Sequence, residues 1–63
     1  MFNVITNHVI NKKPLSLEEA FKLANEHIYV DEKDIKKAKF DFETGCKNYK
    51  IVYGFSSVWI ERV

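Results

Sequence analysis

The segment from Leu15 to His27, LSLEEAFKLANEH, constrains the fold most, because it carries both the start signal and the apolar stripe of a helix. Ser16 and Glu19 form an S-x-x-E capping box, in which each side chain accepts a hydrogen bond from the backbone amide of the other residue. Apolar residues then recur at helical spacing: Leu17, Ala20, Phe21, Ala24 and Ile28. We therefore expect an amphipathic helix of about three turns that lies on a flat apolar surface.

Alternation of apolar and polar residues predicts strands on both sides of this helix. A first strand is expected over roughly residues 2 to 10, with a bulge near Asn7 and His8, where the apolar phase changes. Pro14 ends this region because it has no amide to donate to a sheet. The polar segment YVDEKDIKKA has two interpretations, a further helical turn capped by Asp31 or a plain connection.

From Lys37 onward the pattern favours two more strands joined by a hairpin loop, ETGCKN, followed by a last strand, VWIERV. The segment YKIVYGF places Tyr49, Ile51, Tyr53 and Phe55 on one face. The prediction is an α+β fold of the order β-α-β-β-β, with one amphipathic helix packed on one face of a mostly antiparallel sheet. Its inner strand positions include Phe40, Phe42, Ile51 and Tyr53.

The chain of 63 residues is a single small domain, near the lower limit for folding without a metal or a disulfide. Its net charge of +1 argues against a DNA mimic, which needs a strong acidic excess, and gives no support to a sequence-independent nucleic-acid binder. The single Cys46 excludes an intramolecular disulfide. No signal peptide or run of apolar residues long enough to span a membrane is present, so we expect a reducing, cytoplasmic setting.

The middle of the chain resembles the PepSY family over roughly residues 15 to 53. The resemblance lies in a helix-plus-hairpin half-motif: the capped helix with EEA and a later Ala, then KAKFDFETGCKNYKIVY. It implies a helix packed on a β-hairpin, and a role in binding or restraining a protein partner without catalysis.

Residues that carry chemistry are few and isolated. His8, His27 and Cys46 have neither the spacing of zinc ligands nor the partners of a Cys–His nucleophile. Gly45 and Gly54 are separate, and neither opens a helix as a phosphate-binding loop requires. The carboxylates are explained by helix starts and solvated faces. We therefore expect no catalytic residue, no metal and no cofactor.

Lysines form the one cluster that favours a nucleic-acid-binding alternative. If Lys36, Lys37, Lys39 and Lys50 lay on an outer sheet face beside Trp59, they would contact phosphates while the ring stacked on bases. Asp34, Asp41 and Glu43 dilute this charge. Lysines on strands also protect sheet edges from aggregation, which is the simpler interpretation.

The most informative feature is the excess of large apolar residues near the C-terminus. One helix covers one face of a sheet, so Ile5, Val9, Val52 and either Trp59 or Ile60 would lie on the uncovered face. Trp59 is the expected anchor for a protein partner or a second copy of the chain, with Tyr53 or Val52 beside it and Glu61 and Arg62 at the rim. The alternative, that Trp59 belongs to the core, stays open. Small Asn- and Lys-rich chains of this kind are typical of inhibitors encoded by phages or mobile elements.

Overall fold

The computed structural model describes residues 1–63, which form three strands and two helices. In chain order these are β1 (Phe2–Ile5), α1 (Leu17–Asn25), α2 (Glu32–Glu43), β2 (Asn48–Tyr53) and β3 (Ser56–Arg62). The strands form one antiparallel sheet in the order β1-β3-β2. Helix α1 packs on β1 and α2 on β2, and both contribute to the same core. The predicted α+β class, with helical packing on one face of an antiparallel sheet, is confirmed.

Helix α1 begins as the sequence predicts. The Ser16 side chain accepts a hydrogen bond from the Glu19 amide at 3.2 Å, and the Ser16 amide donates to Glu19 Oε1 at 3.1 Å. The hydrogen bond that the Ser16 amide donates to the Glu19 carboxyl lowers the pKa of that carboxyl, and the Ser16 hydroxyl lowers it further. Ala20, Phe21 and Ala24 are buried against the sheet, so the predicted apolar stripe is the face that packs.

Residues 37–43, predicted as a strand, belong to helix α2. The Asp31 side chain caps this helix by accepting a hydrogen bond from the Lys33 amide at 3.2 Å. Ala38 and Phe42 are buried, whereas 64% of Phe40 is exposed to solvent. The observed order is therefore β-α-α-β-β, and Phe40 is not an inner strand position.

The turns at the two glycines differ from the turns predicted from the sequence. Gly45, expected in a hairpin loop, follows the end of α2 with φ at 102°, the left-handed conformation that commonly ends a helix. Gly54, expected inside a strand, has φ at 62° and is the first residue of a two-residue hairpin turn between β2 and β3. A positive φ at the first turn residue alone is the pattern of a type II′ turn. The second turn residue, Phe55, is therefore fully exposed instead of facing inward.

Strand β1 is shorter than the predicted strand of residues 2 to 10. The chain turns after Ile5, where the Thr6 amide donates to the His8 carbonyl at 3.1 Å. It then runs back along β1, so that Val9 lies opposite Ile5 and Leu15 opposite Phe2. The phase change seen in the sequence is a reversal of the chain, not a bulge.

The core is one cluster of buried apolar side chains between the helices and the sheet. The sheet contributes alternate residues of its strands, and each helix contributes its apolar stripe. Its members are Val4, Ala20, Phe21, Ala24, Ile28, Val30, Ala38, Phe42, Ile51, Val58 and Ile60.

Candidate protein-binding surface

The face of the sheet that points away from the helices carries no covering layer. Val4, Ile51, Val58 and Ile60 are buried beneath the helices, so their neighbours along each strand project to the opposite side. We call this side the open face; its residues are Asn3, Ile5, Asn48, Lys50, Val52, Ser57, Trp59 and Glu61.

Trp59 occupies the centre of the open face because β3 is the middle strand. Its cross-strand partners are Ile5 on β1 and Lys50 on β2. The Lys50 ammonium nitrogen lies 5.5 Å from the centroid of the indole ring, within the range of a cation–π contact. Trp59 is 38% exposed, so its neighbours cover only part of the ring.

Other apolar and charged side chains surround Trp59 on the open face. Val52 lies on β2 opposite Ser57, and Val9 lies opposite Ile5 just beyond β1. Both valines are exposed. Glu61 lies two residues beyond Trp59 on the same strand and face. Trp59, Val52 and Glu61, three of the predicted partner-binding residues, therefore share one surface.

Tyr53 and Arg62 lie elsewhere. Tyr53 has the same strand phase as the buried Ile51, and its ring packs edge-to-face against Tyr29 at 5.4 Å. The Arg62 guanidinium donates to the Phe42 carbonyl near the end of α2 and lies 5.9 Å and 5.6 Å from the rings of Phe2 and Phe42. Arg62 thus fastens α2 to the sheet, where a cation also suits the negative end of the helix dipole. Neither residue lies beside Trp59.

The four lysines of the nucleic-acid alternative do not form one group. Lys50 lies on the open face, whereas Lys36, Lys37 and Lys39 belong to α2, on the other side of the sheet. Lys39 lines a cleft between the two helices. The nucleic-acid alternative depended on several lysines around Trp59 on the sheet face. Of the four, only Lys50 lies there.

A second group of exposed aromatic residues was not predicted as a surface. Tyr29, Tyr53 and Phe55, which we call the aromatic tip, are all exposed near the β2–β3 turn. The sequence signal was Gly54 followed by a large ring, since Gly at the first position of a two-residue turn forces the next side chain out of the strand pairing.

The hydroxyl of Tyr49 is a polar group that links a strand to a helix. The Tyr49 hydroxyl donates to Asp34 Oδ1 at 2.9 Å and ties β2 to α2. Burial, together with this hydrogen bond, raises the pKa of Tyr49 to about 12.

A cleft of about 540 Å³ lies between the helices. Of its polar lining residues, Ser16 and Arg62 are hydrogen-bonded within the chain. Glu18, Lys39 and Glu43 also line it and carry charges of both signs.

His8, His27 and Cys46 are all exposed, and no three His, Cys, Asp or Glu side chains group as metal ligands do. Neither helix is long and apolar enough to cross a membrane.

Comparisons with protein-family models, with curated proteins and with solved structures find no match for this chain. The resemblance to PepSY domains stays a prediction. The hairpin that it implied does not form, because α2 takes the place of its first strand.

Proposed function

We propose that this chain is a small, non-enzymatic protein-binding module that inhibits or modulates a partner protein, of the type encoded by phages or mobile elements. The observation that carries the proposal is Trp59, a large ring at the centre of an uncovered sheet face. Trp is one of the residue types enriched among binding hot spots, because a rigid ring contributes much contact area at little entropic cost.

The surroundings of Trp59 suit a protein surface. Ile5, Val9 and Val52 extend the apolar area, and burial of apolar area stabilises a complex by about 25 cal/mol per Å² before the costs of association. Lys50 and Glu61 supply one charge of each sign beside the ring. Such charges favour a partner with a complementary pattern and set its orientation and on-rate.

The proposed setting is the cytoplasm. Cys46 is a free and exposed thiol. Exposed single thiols persist where glutathione and thioredoxin keep them reduced. The proposed partner is a cytoplasmic protein or a second copy of the chain that covers the open face.

The nucleic-acid alternative has less support, since Lys36, Lys37 and Lys39 lie on the helical side of the sheet, away from Trp59 and Lys50. We expect weak or no association with single- or double-stranded oligonucleotides at low salt. Tight binding with an affinity that falls steeply with salt concentration would favour the alternative.

The test compares three immobilised proteins: the wild type, Trp59→Ala and Phe40→Ala. Phe40 is the matched control because it is an exposed aromatic residue on α2, on the other side of the molecule. Proteins captured from a host lysate by the wild type are identified by mass spectrometry, purified and titrated against each variant. Sedimentation velocity of each variant measures self-association.

We expect Phe40→Ala to bind like the wild type and Trp59→Ala to lose most of the affinity for the partner or for itself, while both stay folded. A folded Trp59→Ala protein that binds with wild-type strength, or an equal loss in Phe40→Ala, contradicts the proposal.

A further inference from the structure

The two edges of the sheet differ in the hydrogen bonds that they leave open. The outer edge of β1 is closed by the chain that runs back along it. The Phe2 and Leu15 amides donate to each other's carbonyls at 2.8 Å and 2.9 Å, and the Ile10 amide donates to the Val4 carbonyl at 2.9 Å. The Val4 amide donates to Asn11 Oδ1 at 2.8 Å. No further strand has a place at this edge.

The outer edge of β2 is open. Its pairing with β3 begins at the two-residue turn, so Tyr53 and Ser56 form a hydrogen-bonded pair, and such pairs alternate along an antiparallel ladder. Lys50 and Val52 fall at the intervening positions. Their amide and carbonyl groups therefore point away from β3, toward solvent. No side chain of the protein forms a hydrogen bond with the backbone amide or carbonyl of Lys50 or Val52.

Helix α2 decides what can pair there. It packs on β2, and the hydrogen bond from Tyr49 to Asp34 holds it over this edge strand. A second copy of the chain, paired antiparallel through its own β2, would bring its α2 to the same face of the joined sheet, over a strand only about 4.8 Å away. Helices pack at about 8–10 Å between axes, so the two copies of α2 would collide. An extended segment without a helix above it meets no such obstacle.

The side chains at the edge define the chemistry of that segment. Lys50 and Val52 project from β2 onto the open face two residues apart, one cationic and one apolar. A strand added beside β2 places its own side chains directly opposite them, where opposite charges and apolar pairs stabilise the sheet.

We propose that β2 receives an extended segment of a partner protein as a fourth strand, with an acidic side chain beside Lys50 and an apolar side chain beside Val52. This inference rests on the proposed function, because it specifies how the same surface takes hold of a protein. Main-chain hydrogen bonds to Lys50 and Val52 supply affinity, and the two side-chain pairs select the sequence.

The probe is a displayed library of short random peptides, selected on the full chain. Each enriched peptide is synthesised, titrated, and mapped by the amide chemical shifts of the protein. Two variants test the mode of binding. Val52→Pro removes an edge amide that takes no part in the β2–β3 ladder, which a strand edge tolerates. Lys50→Glu reverses the charge, and Lys37→Glu makes the same change on α2 as the matched control.

We expect enriched peptides to carry Asp or Glu two residues from an apolar residue and to shift the amides of residues 48–53 most. Lys50→Glu should weaken them about three- to tenfold, Lys37→Glu should not, and Val52→Pro should weaken them by about tenfold or more. In the free protein the amides of Lys50 and Val52 should exchange with solvent faster than those of Phe2 and Val4.

Peptides that shift residues around Trp59 and leave the β2 amides unchanged would overturn this inference and still support the proposed function. Failure to enrich any peptide would overturn the inference, while the capture experiment with Trp59→Ala judges the proposed function separately. Protection of the Lys50 and Val52 amides that rises with protein concentration alone would also overturn it, because the second strand would then come from another copy.

Discussion

Replacing Trp59 by alanine should lower the free energy of unfolding by only about 1–2 kcal/mol and leave the protein folded. Full burial of a large apolar side chain is worth about 1.5–3 kcal/mol, and Trp59 keeps 38% of its surface in water, so roughly three fifths of that value is lost. The site is open to solvent, so truncation leaves no enclosed cavity and adds no cavity cost.

Phe21→Ala gives the reference for a core position. Phe21 is 6% exposed and packs in the cluster between α1 and the sheet. Truncating such a ring costs about 3–5 kcal/mol, because a cavity remains. Domains have about 0.05–0.15 kcal/mol of stability per residue, so this loss is a large share of the total for a chain of 63 residues.

Urea denaturation followed by far-ultraviolet circular dichroism measures both variants without relying on the fluorescence of Trp59. The slope of each transition should match that of the wild type, so that the midpoints report stability. A loss for Trp59→Ala as large as that for Phe21→Ala would refute the reasoning and make Trp59 a core residue. An unchanged midpoint for Phe21→Ala would mean that α1 packs by another face.

Three further predictions concern groups that hold the fold together. Ser16→Ala removes the acceptor for the Glu19 amide and should lower stability by about 1 kcal/mol without changing what the protein binds; urea melts and partner titration check this. Arg62→Met keeps an apolar stem but removes the donor to the Phe42 carbonyl, and should cost about 1–3 kcal/mol in the same melts, more than an ordinary exposed residue. Folding raises the pKa of Tyr49 to about 12 from an ordinary value near 10. The contribution of Tyr49 to the free energy of unfolding is therefore complete below pH 10 and is lost as the pH rises toward 12. Tyr49→Phe should therefore show a smaller loss of stability than the wild type over that range, and parallel curves would contradict the assignment.

Local signals in the sequence predicted helix α1 correctly because they act over short distances. The capping box needs only Ser16 and Glu19, three residues apart, and the apolar stripe needs only the helical repeat. The same holds for the class of fold, since one amphipathic helix and strands of alternating character can bury their apolar faces only against each other.

A helical turn capped by Asp31 was one of the two interpretations of the segment that begins α2, but residues 37–43 were predicted wrongly as a strand because two periodicities share the same residues. Ala38 and Phe42 are four apart, a spacing that places both on one side of a strand and on one side of a helix. Phe40 fits only the strand and Ile35 only the helix. In the structure Ile35 is partly buried against the core, whereas Phe40 is exposed. Only the packed structure decides between them.

The open face was predictable in part. Alternation along the last strand predicts that the side chain of Trp59 projects to the face of the sheet opposite to that of Val58 and Ile60. It does not predict which of the two faces the helices cover. Tyr53 or Val52 was expected beside Trp59. The register pairs Trp59 with Lys50 and leaves Val52, but not Tyr53, on the same face, because the turn lies at Gly54 and Phe55.

The sequence by itself determined the start of α1, the apolar stripe that packs, and an α+β fold that leaves one sheet face uncovered. Each of these three features depends on residues that are close together in the sequence or on the number of apolar side chains in the chain. Tertiary structure alone decided that residues 37–43 are helical, that Arg62 fastens α2, and that β1 is closed while β2 is open. These features depend on contacts between residues far apart in the chain, such as Arg62 with Phe42. A pattern of neighbouring residues carries no information about the energy of such contacts.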